Sequence, residues 1–85
     1  MTVYLAWTSE PTKDAPGPWE EWREIGPGLF LLETNESLST VYHAVKWLLS
    51  DDAGLLVSAV ETMPKSRGLP PGTTSWLRER TARPS

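Results

Sequence analysis

Apolar positions along the chain repeat with two different periods. Over residues 2–7, Val3, Leu5 and Trp7 alternate with Thr2, Tyr4 and Ala6, the period of a strand. Leu29 to Leu32 and Leu55 to Val60 are apolar almost throughout, which predicts strands covered on both faces. Between them Leu38, Val41, Tyr42, Val45, Leu48 and Leu49 fall at the i, i+3, i+4, i+7 spacing of one helical stripe. The stripe predicts a helix from Leu38 to Ser50, with Ser37 or Asn35 as its N-cap. Asp51-Asp52-Ala53-Gly54 supplies the turn that follows. Gly28 to Val60 therefore reads as strand, helix, strand, a unit whose strands are expected to be parallel with a right-handed crossover.

Trp47 breaks this pattern. It falls opposite the stripe, beside Thr40, His43 and Ala44, where a large ring must be covered by the C-terminal segment or by another chain. Residues 8–18 hold three prolines and a glycine and predict a loop. Trp19 to Ile25 predicts two helical turns after Pro18, with Trp19 and Trp22 on one face and Glu20, Glu21 and Glu24 on the other. Gly26-Pro27-Gly28 ends them. After the irregular run from Met63 to Gly72, Thr73 or Thr74 caps a last short helix from Ser75 to about Ala82. Its large apolar residues are Trp76 and Leu77, and it needs a docking site on Trp47 or on the open face of the sheet.

The expected fold class is thus α+β: a small three-stranded sheet with a right-handed β-α-β unit, one main amphipathic helix and a short C-terminal helix. The order of elements over residues 2–62 resembles a truncated ferredoxin-like domain, and is similar in architecture to the small Cas2-like dimers that associate through their sheets. Where that family carries an acidic metal ligand at the end of its first strand, this chain has Trp7-Thr8-Ser9. No nuclease role carries over.

At 85 residues the chain is one domain, near the small end of what folds without staples. It has no cysteine, which excludes disulfides, thiolate metal sites and thiol nucleophiles. Its first residues lack a basic-then-apolar leader, and no apolar run approaches the roughly 20 residues that cross a bilayer. A cytoplasmic protein with no membrane contact is expected. Five Arg against three Lys fits the codon usage of a GC-rich bacterial or phage genome.

Charge is uneven. Residues 1–64 carry ten acidic and three basic side chains, whereas residues 65–85 carry five basic and one acidic. The reading is an acidic core, 1–64, with a basic tail, 65–85, docked on it. The one histidine, His43, has no second histidine for a metal site, and the pairs Glu20/Glu21 and Asp51/Asp52 are sequence neighbours that do not face each other on a helix. Neither a catalytic residue nor a cofactor is expected. Two interaction surfaces remain. Either an apolar sheet face left open by too few helices or the Trp47 face serves a homodimer, with Trp47, His43, Thr40, Trp19 and Trp22 as the candidate protein-interface residues. Lys65, Arg67, Trp76, Arg78, Arg80 and Arg83 form a candidate nucleic-acid contact, with Trp76 stacking on a base.

Overall fold

A computed structural model describes residues 1–12 and 15–82. Four strands, β1 (Thr2–Thr8), β2 (Glu21–Gly26), β3 (Leu29–Thr34) and β4 (Leu55–Val60), form one antiparallel sheet in the order β2-β3-β1-β4. Helix α1 (Leu38–Lys46) follows β3, and α2 (Thr73–Arg80) follows β4. Central β1 pairs with β3 from Thr2↔Thr34 to Trp7↔Leu29, and with β4 from Val3↔Val60 to Thr8↔Leu55.

The pleat sends alternate β1 residues to opposite faces, and each face has its own helix. Tyr4, Ala6, Phe30 and Leu32 meet Val41 and Val45 of α1 on one side. Val3 and Leu31 meet Trp76 and Leu77 of α2 on the other. This is why Leu29–Leu32 is apolar without alternation: Phe30, Leu31 and Leu32 are all buried, each worth about 1.5–3 kcal/mol when fully removed from water. Among the described residues no helix is long and apolar enough to cross a membrane.

Several expectations from the sequence are corrected. The sheet has four strands, not three, because Glu21–Gly26 is a strand and the two helical turns expected from Trp19 to Ile25 do not form. Pairing decides this: Trp22 lies opposite Leu32 and stacks on Phe30 with centroids 3.9 Å apart, a gain that a half-buried aromatic makes in a sheet. Pro27-Gly28 then joins β2 to β3, with Gly28 at φ 69°. β3 and β4 run parallel, since both oppose β1, yet β1 lies between them and they share no ladder. The ferredoxin-like order is therefore not found; the architecture is a four-stranded antiparallel α+β sheet.

Helix α1 is shorter than its stripe. It stops at Lys46, leaving Leu48 exposed and Leu49 half-buried. Ser37 is its N-cap, accepting the Thr40 N–H at 3.2 Å. Ser37→Ala is expected to cost about 1 kcal/mol, read as a lower urea midpoint with an unchanged slope. Helix α2 starts two residues earlier than expected, at Thr73, and follows Gly72 at φ 88° with no side-chain cap.

Candidate functional site

The C-terminal turn of α1 sets the position of Trp47. Its N–H bonds the His43 carbonyl at 3.1 Å, and Leu48 and Leu49 bond back to Val45 and Lys46. The indole is thereby held on the side away from Val41 and Val45, and it is 86% exposed. His43 and Tyr42 are also exposed, their rings edge-on at 5.3 Å. An open groove of about 440 Å³ runs beside them, bordered by Tyr42, Lys46, Trp47, Leu49, Asp51 and Leu55. Helix α2 packs on the opposite face of the sheet, so among the described residues the C-terminal segment does not cover Trp47.

The turn under this groove is tied to the end of β1. The Ser50 N–H and hydroxyl both donate to Glu10 Oε1, at 2.7 and 2.6 Å, and the Gly54 N–H donates to Ser9 Oγ at 2.7 Å. The two Ser50 bonds favour the charged carboxylate and hold Glu10 below the usual carboxylate range. A lowered carboxyl pKa stabilises the fold above the unfolded-state value and loses that contribution as pH falls through the folded one. Titration by NMR is expected to show Glu10 protonating below 4.5, its ordinary value, with the Ser50 amide resonance moving in step.

The rest of the expected protein interface lies elsewhere. Thr40 is exposed in the first turn of α1, where its hydroxyl accepts from Ser37 Oγ at 3.0 Å. Trp19 and Trp22 are half-buried, 5.3 Å apart, at the β2 edge. The Trp19 indole N–H donates to the Ala15 carbonyl. That edge is opposite the one formed by β4, so the two tryptophans do not join Trp47 in one surface.

The basic residues are divided as well. The Arg80 guanidinium lies 2.9 Å from Glu21 Oε2 and 3.1 Å from Glu33 Oε1, and 4.4 Å from the centroid of the Trp76 ring. Glu21 and Glu33 face each other across the β2–β3 ladder, a like-charge pair that is unfavourable without a cation between them. Trp76 is only 8% exposed, and its indole N–H donates to Glu21 at 2.6 Å. Covered by Arg80 on one side and packed on the sheet, it presents no free face to a base. Lys65, Arg67 and Arg78 are exposed; Arg83 lies outside the described residues.

Among the described residues no group of three His, Asp or Glu side chains stands close enough to hold a metal ion. One feature that the sequence reading missed is that β4 is an edge strand, with Leu56 and its cross-strand neighbour Trp7 exposed at 55% and 43%. The available signal was the uncharged run Leu55–Val60, which reads equally well as a strand covered on both faces. No family model, curated protein or solved structure matches this chain.

Proposed function

We propose that this chain is a small, non-enzymatic protein-binding protein that acts in the cytoplasm as a homodimer, with Trp47 in its contact surface. The exposure of Trp47 carries the reading. An indole in water at the end of a helix whose other side forms the core serves the monomer in no way that its contacts reveal. Tryptophan is the side chain that gains most from burial at an interface. The groove between it and Leu55 offers the concave half of such a contact.

The test is Trp47→Ala followed by sedimentation across a concentration series. Because the ring makes little contact within the chain, the stability of the monomer, measured at concentrations where the dimer is dissociated, should stay within about 0.5 kcal/mol of the parent. The dimer dissociation constant should rise at least 30-fold, the effect of about 2 kcal/mol expected of a hot-spot residue. Unchanged association would remove the Trp47 face from the proposal.

The second reading, a nucleic-acid-binding regulator, is supported by the exposure of Lys65, Arg67 and Arg78. It requires binding of mixed-sequence oligonucleotide at low salt that weakens steeply as salt is raised. It has to proceed without Trp76 and Arg80, which are engaged within the fold.

A further inference from the structure

We infer that the homodimer forms by antiparallel pairing of β4 with β4 of a second copy, giving one continuous eight-stranded sheet. This rests on the homodimer reading above and names the segment that makes it.

The hydrogen-bond parity of β4 fixes which backbone groups are available. Ser9 N–H bonds the Gly54 carbonyl at 2.9 Å, so in the register of the β1–β4 ladder Gly54, Leu56, Ser58 and Val60 turn their backbone groups toward β1. Leu55, Val57 and Ala59 turn theirs outward. Among the described residues no backbone group bonds to them there. Past Val60 the chain is already engaged, since Ala82 bonds both the Glu61 carbonyl and the Met63 N–H.

The two edges of the sheet are built differently. β2 presents Glu21, Arg23 and Glu24 and is broken by a bulge between Glu24 and Gly26, the devices that stop an edge from recruiting another strand. β4 is Leu-Leu-Val-Ser-Ala-Val, with no charge, proline or bulge. An edge of that kind pairs with whatever strand fits it.

Several features fit a second copy about a two-fold axis at Val57. Such an axis makes the contact isologous, and it uses all three outward residues while needing none beyond Val60. Leu55 then faces Ala59 of the other copy, large against small on the α1 side of the sheet. Trp47 shares its groove with Leu55 and so stands on the side where the exposed Ala59 of the other copy would meet that leucine. With Trp rings burying roughly 150–250 Å² each, Trp47, Trp7 and Leu56 offer on the order of 400 Å² per copy. That is about half of the roughly 800 Å² per partner of a standard interface, leaving the β4 backbone and Tyr42 to supply the remainder.

The experiment combines sedimentation of the full chain with amide exchange by NMR, on the parent and on Ala59→Pro, Ala59→Lys and Trp47→Ala. Proline at 59 removes an outward N–H and none of the β1 ladder, an edge position of the kind where a strand tolerates it. Lysine at the same exposed position tests the edge should the proline variant fail to fold. The expected result is a parent of twice the chain mass whose Leu55, Val57 and Ala59 amides exchange slowly. At least one variant at position 59 should then be monomeric with an unchanged circular dichroism spectrum and with Leu55 and Val57 amides exchanging at least 100-fold faster. A dimer whose three outward amides exchange freely overturns strand pairing. So does a dimer that survives both changes at position 59 but not Trp47→Ala, which would leave the Trp47 reading standing alone. A parent that is monomeric at every concentration overturns both.

Discussion

Trp76→Ala is expected to remove most of the stability of this fold. Truncating a buried tryptophan costs about 3–5 kcal/mol in lost contacts and cavity, and the whole of an 85-residue domain is worth only about 4–13 kcal/mol at the usual 0.05–0.15 kcal/mol per residue. Two further losses attach to the ring. Glu21 loses the indole N–H at 2.6 Å, and Arg80 loses the surface it covers at 4.4 Å. Leu77 is the only other α2 side chain in the cluster on that face, so the helix is left with one large anchor. Thermal unfolding should show the midpoint falling by more than about 12 °C, at 4–8 °C per kcal/mol for a domain of this size. Trp76→Phe, which keeps a ring and loses the N–H, should fall by less than half as much. If Trp76→Ala unfolds within a few degrees of the parent, α2 is not a structural layer.

The second large effect is expected at the β2–β3 turn. Gly28 has φ 69°, which costs a residue with a Cβ about 1–2 kcal/mol. An added Cβ also falls directly on the Thr8 carbonyl, while the Thr8 N–H bonds the Gly28 carbonyl at 2.8 Å. Gly28→Ala therefore strains the turn and pushes the end of β1 away from β3, for a total expected to exceed about 2 kcal/mol when the usual left-handed penalty is added to a clash that only backbone movement relieves. Gly68 separates the two causes. It has φ 77° with nothing within 4 Å of its added Cβ, so Gly68→Ala should show the backbone penalty alone. Urea unfolding of both variants gives the comparison, and equal losses would mean that the contact with Thr8 does not matter.

How much of this was legible in the sequence depends on the reach of each signal. Local signals served well: alternation marked β1, the helical stripe and Ser37 marked α1, and the apolar runs marked β3 and β4. The misplacement of Trp47 was also local, since it follows from spacing alone. β2 failed because Trp19 and Trp22, three residues apart, imitate one helical face. Their actual partners, Ala15 for the first and Phe30 and Leu32 for the second, are fixed by tertiary pairing that overrides such a pattern. Strand order failed for a related reason. Nothing in the run β3-α1-β4 records that β1 inserts between the two strands. Trp76 among arginines looked like a stacking site because Glu21 and Glu33, which hold Arg80 over it, stand far away in the chain. An apolar run likewise carries no mark of whether its strand is central or at the edge, and the most informative surface of the molecule depends on that distinction.

The central place of β1 also bears on how the chain acquires its fold. Val3 pairs with Val60, so the middle strand of the sheet depends for one of its two neighbours on a segment far along the sequence. The β2–β3 hairpin closes locally and forms on the microsecond scale of roughly 1–10 μs. The β1–β4 pairing must first close the loop between Thr8 and Leu55, an entropic cost met before any contact rewards it. Until then Val3, Leu5, Leu31 and the β4 run stay open to the wrong partners, and α2, the last element made, closes the second face only after them. In refolding, the interval in which these strands need protection from aggregation is therefore set by the pairing of β4 with β1 and the docking of α2 that follows it.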